Sequence, residues 1–163
     1  MIVYRIGHPE YVQDLSGHGS SVVGGRWNSV GERIVYTAET SSLAILELLG
    51  YLKGIKGQIP YGLIKIDTGK TKILHLNEIT GSLPHNWAHG EAGRALTRKI
   101  GGEWLQGQQS PILKVPSVHN PIENNYLLNP KHPDLKINVI DEHWYLYDDR
   151  LTEKTPSSDQ NIK

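Results

Sequence analysis

The sequence predicts a single domain of the α+β class. The chain has 163 residues, which is enough to bury one hydrophobic core without disulfides or metals. Its 17 glycines and 9 prolines indicate many turns. Some segments alternate apolar and polar residues as strands do, whereas others repeat them at helical spacing. Together these observations favour a mixed domain over a helical bundle.

Composition and charge argue against several classes of protein. The 17 basic and 17 acidic residues balance, so we expect no direct contact with nucleic acid. Cysteine is absent, which removes disulfides and thiolate metal sites and suits a reducing compartment. The first ten residues do not resemble a signal peptide, and no segment approaches transmembrane length. We therefore expect a soluble, cytoplasmic protein that does not contact membranes.

The first third of the chain is expected to form strands before a short helix. Residues 2–6 predict a strand, and residues 8–21 predict a loop with one helical turn. Gly24-Gly25 permits unusual dihedral angles and opens an extended arm. Residues 28–31 then read as a turn, and residues 33–38 return as a strand.

The helix that follows carries the first candidate site residue. Residues 40–42 have hydroxyls that can cap a helix start, and the apolar side chains of residues 43–49 leave no clear polar arc. We therefore expect this helix to end at Gly50 and to be largely buried. Glu47 is its only charge and needs a cation, hydrogen bonds or a pocket, unless the helix end lets it reach water.

Arg26 and Tyr36 are candidate partners of Glu47. The arm and the returning strand could form a hairpin, and docking of that hairpin on the helix could bring the three side chains together. The alternative is that Arg26 is a surface arginine and Tyr36 a core aromatic residue.

The remainder of the chain alternates strands, loops and one longer helix. An amphipathic helix is expected over residues 87–100, ended by Gly101-Gly102, with Trp104 in a connector. The other expected segments are a break at 54–57, strands at 61–67, 72–76, 112–115, 135–140 and 144–147, a mostly irregular polar stretch at 117–129, and a frayed tail at 152–163.

Two further polar features lie in this part. Ser117 follows the strand that stops at Pro116, so its hydroxyl could belong to a binding rim or could satisfy only its own loop. His85 and His89 have the spacing of two metal ligands on a helix, but no third ligand is near and helix-start histidines are the simpler interpretation. P-loop, GxGxxG and GxSxG motifs are absent from the sequence.

These pieces together resemble the RES-domain family, named for an arginine, a glutamate and a serine. The resemblance covers residues 2 to 151 in the order of the family pattern, and residues 1–151 are assigned to the domain. The matching segments are Tyr4-Arg5, Gly25-Arg26-Trp27-Asn28 with Gly31, Val35-Tyr36-Thr37-Ala38, Leu43-Ala44, Leu46-Glu47, Pro116-Ser117, Asn125-Tyr126-Leu127-Leu128-Asn129-Pro130, His132-Pro133-Asp134 and Asp149-Arg150-Leu151.

The resemblance implies a toxin of a bacterial toxin–antitoxin module. The implied fold is similar to that of the ADP-ribosyltransferase toxins, a small mixed β core with flanking helices. The implied activity is NAD⁺ breakdown at the nicotinamide–ribose bond, by hydrolysis or phosphorolysis. The alternatives are ADP-ribosylation of a protein, or a non-catalytic interaction module of the same fold. The implied partner is an Xre-like helix-turn-helix antitoxin that covers the active site. The toxin is expected as a homodimer or in a larger complex with the antitoxin.

The resemblance also assigns roles to residues. Arg26, Glu47 and Ser117, with Tyr36, are the implied catalytic residues. The implied NAD⁺-binding residues are Arg5, Arg26, Tyr36, Ser117 and Asn125. Arginines suit the two phosphates, and a carboxylate can stabilise positive charge that develops on the ribose. Nicotinamide is already a good leaving group, so we expect no metal and no cofactor beyond NAD⁺ as substrate, with inorganic phosphate as a co-substrate if the reaction is phosphorolysis.

Overall fold

A seven-stranded mixed sheet forms the centre of the protein in the computed structural model, which describes residues 1–52 and 60–146. The elements in chain order are β1 (Ile2–Gly7), α1 (His18–Val23), β2 (Val35–Ala38), α2 (Ser41–Tyr51), β3 (Tyr61–Asp67), β4 (Ile73–His75), α3 (Leu76–Thr80), α4 (Gly90–Gly107), β5 (Ile112–Pro116), β6 (Asn124–Leu128) and β7 (Asn138–Tyr145). The strand order is β4-β5-β6-β2-β1-β3-β7. The pair β4–β5 is parallel, and the other neighbouring pairs of described strands are antiparallel. The α+β prediction is confirmed.

Both faces of the sheet are covered by apolar side chains. On one face, strand residues such as Leu113 and Leu127 pack with Ile100 and Trp104 of α4. The neighbouring residues along the same strands point to the opposite face, because side chains of a strand alternate. There Val3 packs with Ile64 and other buried residues in a second cluster.

Helix α2 lies on the same face as α4. It contacts β1 and β2, and Ala38 of β2 packs with Leu43 and Ala44 of the helix. Ala38 follows Tyr36 by two positions, and Tyr36 packs against the α4 cluster, so both side chains point to this face. The space between α2 and α4 is therefore floored by the middle of the sheet.

The predicted N-cap of α2 is confirmed, but the helix is less buried than expected. The Thr40 hydroxyl accepts a hydrogen bond from the backbone N–H of Leu43, at 3.0 Å. Of the side chains that the structure describes in α2, only Leu43 and Ala44 are buried, and Leu46 is 38% exposed. The helix lies on the sheet by one side only, so the apolar residues on its other side contact solvent.

The prediction of an extended arm before β2 is wrong, and the structure has no hairpin at this place. Residues 25–28 are irregular, and the Trp27 N–H donates to the Tyr36 hydroxyl and not to a backbone carbonyl of β2. The carbonyls of Gly25 and Arg26 accept hydrogen bonds from Arg98 and Thr97 of α4, at 3.0 and 2.7 Å. Because these carbonyls are satisfied by helix side chains, the segment has no need of a strand partner.

Helix α4 also differs from its prediction, because it begins at Gly90 and continues through Gly101-Gly102 to Gly107. These two glycines serve close packing and do not end the helix. A Cβ on Gly101 would lie 1.8 Å from the Trp27 carbonyl oxygen, so only glycine lets this backbone approach. Trp104 is consequently a buried helix residue and not part of a connector.

Two strand predictions in the last part are corrected. The stretch predicted to be irregular contains β6, whose asparagines are held in the strand by pairing with β2 on one side and β5 on the other. Residues 138–145 form one continuous edge strand on β3, so residues 141–143, which were expected to separate two strands, are paired within it. The pairing is irregular at a bulge at Ile140. The short helix α3 was not predicted.

Some predictions lie outside the described residues. These are the break at 54–57, the end of the strand at 147, the Asp149-Arg150-Leu151 motif and the tail at 152–163. Each helix within the described ranges is too short or too polar to span a lipid bilayer.

Candidate active site

Glu47 faces the sheet from α2. It follows Leu43 and Ala44 by one helical turn, so it lies on the side of the helix that packs against the sheet. Its side chain is 24% exposed, which leaves the carboxylate reachable from solvent but largely surrounded by protein. The interpretation that Glu47 simply reaches water at a helix end does not hold, because it has specific partners.

Ser117 and Asn125 hold one oxygen of this carboxylate. Glu47 Oε1 accepts a hydrogen bond from Ser117 Oγ at 2.8 Å and another from Asn125 Nδ2 at 2.6 Å. Ser117 Oγ in turn accepts from the backbone N–H groups of His119 and Asn120, at 3.0 and 3.1 Å. Because both lone-pair sides of the hydroxyl receive donors, its proton is directed at Glu47.

The strands explain why these groups meet. Ser117 follows the end of β5, and Asn125 pairs with Ala38 in the neighbouring strands β6 and β2. Directly paired residues point to the same face of a sheet, so Asn125 points where Ala38 does, toward α2. The structure thus brings together three residues that the sequence assigned to the site.

His119 is a further group beside the carboxylate that the sequence analysis did not single out. Its Nε2 lies 3.6 Å from Glu47 Oε2, the oxygen that Ser117 and Asn125 do not contact. The imidazole lies against Gly50, where an added Cβ would come within 2.6 Å of Nε2. A histidine two residues beyond the serine, in a loop of small polar residues, was the signal available in the sequence.

Tyr36 fixes the segment that carries Arg26. The tyrosine hydroxyl donates to Asn28 Oδ1 at 2.7 Å and accepts from the backbone N–H of Trp27 at 3.0 Å. A Cβ on Gly25 would lie 2.4 Å from this hydroxyl, so the glycine permits the close approach. The guanidinium of Arg26 lies 5.9 Å from the centroid of the Trp87 ring, within cation–π range.

Two clefts share some of these residues in their lining. The smaller has a volume of about 140 Å³ and is lined mainly by apolar side chains of β1, β2 and α2. The larger has a volume of about 420 Å³ and is lined by Arg26, with Arg94 and Arg98 of α4. Tyr36, Glu47 and Asn125 line both clefts, so the carboxylate stands at their junction.

Arg5 is placed differently from the other predicted residues. It lines the smaller cleft, but in β1 it pairs with Ile64, whose side chain belongs to the core on the other face of the sheet. Its Nε donates to the carbonyl of Val12 at 3.0 Å. Burial lowers the pKa of Arg5, and the charge of Asp14 opposes that shift. The structure therefore does not bring the Arg5 guanidinium to Glu47, and a direct phosphate contact from Arg5 is not supported.

The predicted histidine pair has no partner for a metal. Among the residues that the structure describes, no three histidine or acidic side chains lie close enough together to hold an ion. His85 lines a separate groove beside α3.

The arrangement suits chemistry on a substrate that develops positive charge. One carboxylate oxygen is fixed by two neutral donors, and the other lies 3.6 Å from His119 Nε2. A fixed carboxylate in a partly dehydrated site stabilises a cationic transition state, because no reorganisation is needed when the charge appears. The arginines supply sites for anionic groups of the same substrate.

The chain is similar to several known proteins. The RES domain profile matches residues 2–149. A protein named "Prs ADP-ribosylating toxin" from Sphingobium sp. (strain YBL2) is 40% identical over 145 residues, which cover 86% of this chain and 88% of the relative. A protein named "Toxin Res" from Photorhabdus laumondii is 35% identical over 94% of this chain and 98% of the relative.

A solved structure shares the fold. It is a chain of the M. tuberculosis MbcT–MbcA toxin–antitoxin complex, with a TM-score of 0.68 and 16% identity, and the match covers 88% of this chain and 83% of that chain. The likeness shows that the two chains share the same overall fold. The profile match and the relatives lead to one conclusion: this chain belongs to the RES-domain family.

Proposed function

We propose that this protein is a toxin of a toxin–antitoxin module and that it cleaves the nicotinamide–ribose bond of NAD⁺. One observation carries the proposal: Glu47, held by Ser117 and Asn125, stands where an apolar cleft meets an arginine-lined cleft. NAD⁺ has this same polarity, with a flat nicotinamide ring at one end and a diphosphate beyond the ribose. Two relatives have names that describe them as toxins, and these names support the proposal.

In this scheme Glu47 acts on the ribose. The C–N bond to nicotinamide breaks, the electron pair leaves with the ring as neutral nicotinamide, and positive charge develops on C1″ and the ring oxygen. Glu47 Oε2, which Ser117 and Asn125 leave to the cleft, stabilises that charge or holds a ribose hydroxyl. An acceptor oxygen then bonds to C1″ and loses its proton to solvent.

The other residues bind and orient the substrate. The ring of Tyr36 lines both clefts beside Glu47 and can stack on nicotinamide or ribose, while its hydroxyl is engaged with Asn28 and Trp27. Arg26 offers its guanidinium to a phosphate from the larger cleft. In this arrangement Ser117 acts through Glu47 and not on nicotinamide directly.

The acceptor distinguishes the candidate activities. The first test is nicotinamide release from NAD⁺ by the purified protein, with and without inorganic phosphate. Release that rises with phosphate and gives ADP-ribose-1″-phosphate identifies a phosphorylase. Release without phosphate that gives free ADP-ribose identifies a glycohydrolase. A folded protein that releases no nicotinamide under either condition contradicts NAD⁺ depletion.

Protein ADP-ribosylation is the second candidate. The relative that is 40% identical is named for ADP-ribosylation, and this is the observation that favours it. The same Glu47 chemistry serves this reaction, with a protein side chain as the acceptor. The test is incubation of a bacterial lysate with the protein and NAD⁺ labelled in the adenylate phosphate. Label on a discrete protein band supports transfer, and label only in small products excludes it under those conditions.

A Glu47→Gln variant tests the residue at the centre of the proposal. The amide keeps the shape of the side chain but loses the negative charge, so we expect turnover to fall at least tenfold, about 1.4 kcal/mol, while NAD⁺ still binds. Glu39→Gln is the matched control, because Glu39 also bonds to an asparagine but lines neither cleft. Near-wild-type turnover of folded Glu47→Gln removes Glu47 from the chemistry.

The proposed partner is an antitoxin that covers the clefts. The structural neighbour is the toxin of a toxin–antitoxin complex, and this favours such a partner here. Coexpression with any small helix-turn-helix protein encoded beside this chain tests it: the partner should copurify and suppress nicotinamide release. An adjacent helix-turn-helix protein that neither copurifies nor inhibits contradicts the assignment.

A further inference from the structure

Helix α4 presents two arginines to the larger cleft. Arg94 and Arg98 are four residues apart, so they lie one turn apart on the same side of the helix. Both line the cleft that also contains Arg26 and Glu47. Surface arginines at this spacing normally belong to a solvated helix face, but here that face forms the wall of a cavity.

The guanidinium of Arg98 is oriented by the backbone opposite. Its Nε donates to the Gly25 carbonyl at 3.0 Å, which directs the two terminal nitrogens away from that bond. The Arg94 side chain is exposed within the cleft wall. In the described residues neither arginine forms an ion pair with a carboxylate. The guanidinium of Arg98 therefore has one hydrogen bond that fixes its Nε in the absence of a ligand.

The charges lining the larger cleft do not balance. Its lining contains the cations Arg26, Arg94 and Arg98, whereas Glu47 is the acidic residue among the described lining residues. A concave surface with this excess of positive charge attracts anions, and ordered guanidinium groups bind phosphate oxygens in bidentate fashion. Glu47 lines the same cleft, so an anion bound there would share the cleft with the reacting ribose.

We propose that Arg94 and Arg98 form a phosphate-binding subsite on the α4 wall of the larger cleft. The inference rests on the proposed function, because it states which chemical group the larger cleft would bind at these two arginines. The phosphate group comes either from the diphosphate of NAD⁺ or from inorganic phosphate as the acceptor. Both sources place a phosphate ester or ion against the same two guanidinium groups, and the experiment separates them.

The test compares Arg94→Gln and Arg98→Gln with Lys99→Gln. Lys99 is the matched control, because it is an exposed cation of α4 that pairs with Glu103 outside the cleft. Calorimetry measures the binding of ADP-ribose and of inorganic phosphate to each purified protein. Nicotinamide release gives KM for NAD⁺ and the phosphate dependence of kcat. Arg94→Gln is the primary variant, because Arg98 also supports the backbone at Gly25.

We expect each arginine variant to weaken its phosphate ligand about tenfold, while Lys99→Gln changes affinity less than twofold. Weaker ADP-ribose binding with a raised KM for NAD⁺ assigns the subsite to the diphosphate. Weaker inorganic phosphate binding with an unchanged KM for NAD⁺ assigns it to the acceptor. If the affinities of Arg94→Gln for both ligands equal those of Lys99→Gln, the subsite is refuted.

The binding measurements do not depend on turnover. Wild-type protein that binds ADP-ribose but releases no nicotinamide contradicts the proposed function and still allows the subsite to be tested. Wild-type turnover with arginine variants that bind both ligands normally contradicts only the subsite.

Discussion

Replacing Ser117 with alanine should separate the positioning of Glu47 from the binding of NAD⁺. The change removes the 2.8 Å hydrogen bond from Ser117 Oγ to Glu47 Oε1 and leaves Asn125 as the remaining donor to that oxygen. It also removes the acceptor of two backbone N–H groups, those of His119 and Asn120, at a residue that is only 3% exposed.

Two magnitudes follow from these contacts. A hydrogen bond to a charged group contributes about 1.5–3 kcal/mol, so we expect the free energy of unfolding to fall by about 2–3 kcal/mol. A carboxylate held by one donor samples more orientations, so we expect kcat for nicotinamide release to fall about 10- to 100-fold. KM for NAD⁺ should stay within about threefold, because Ser117 acts on Glu47 and not on the bound substrate.

Ser110→Ala is the matched control. Ser110 is also fully buried, donates to the Ile112 carbonyl and accepts from the Trp104 indole, but it does not donate to Glu47. It should lower the melting temperature similarly and leave kcat unchanged. The assays are thermal melting and initial rates on protein shown to be folded. Wild-type kcat in folded Ser117→Ala, or an equal fall in kcat for Ser110→Ala, would refute the positioning role.

Two further predictions concern stability. Hydrogen bonds from Asn124 hold the pKa of Glu39 below its usual range, so Glu39 stabilises the fold above about pH 4.3 and that contribution disappears as the pH falls through the lowered pKa. In urea melts, Glu39→Gln should therefore cost about 1 kcal/mol at pH 7 and almost nothing at pH 2; an equal cost at both would contradict this. Gly101→Ala should lower the unfolding free energy by about 1–3 kcal/mol, since its Cβ would overlap the Trp27 carbonyl. Gly107→Ala, with room for a methyl group, should cost nothing, and equal melting temperatures for the two variants would contradict the packing argument.

Local signals predicted part of this fold well. The cap at Thr40 and the helix after it were found because hydroxyl caps and apolar repeats act over a few residues. Glu47 was expected to have partners because a charge on an apolar helix needs them, and the structure shows two. What those partners are depends on chain segments 70 and 78 residues away, which periodicity does not reveal. Their assignment came from the family resemblance.

The errors share one physical cause, which is tertiary contact overriding a local preference. Gly101 looked like a helix stop, but it is a contact point for the Trp27 backbone. Asn124 and Asn125 looked like loop residues, but two neighbouring strands hold them in β6. Residues 25–28 looked extended, yet α4 provides their hydrogen-bond partners.

Some features of the candidate site could not be predicted from the sequence. Arg94 and Arg98 resemble an ordinary solvated helix face until the fold places that face in a cavity wall. For Arg5 the reverse is true. An arginine suits phosphate binding, but the alternation of side chains along β1 directs this one to the other face of the sheet. Residue type alone could not distinguish these two outcomes.

The separation of the Glu47 partners along the chain has a consequence for synthesis. Ribosomes add about 5–20 residues per second, so roughly 4–16 s pass between the addition of Glu47 and that of Asn125, 78 residues later. During this interval a nascent chain carries the carboxylate without its amide donor. A product truncated before Ser117 lacks both groups that hold Oε1. The complete site can therefore form only after β6 has been made, and a growing chain that ends before Asn125 carries Glu47 without its full set of hydrogen-bond donors.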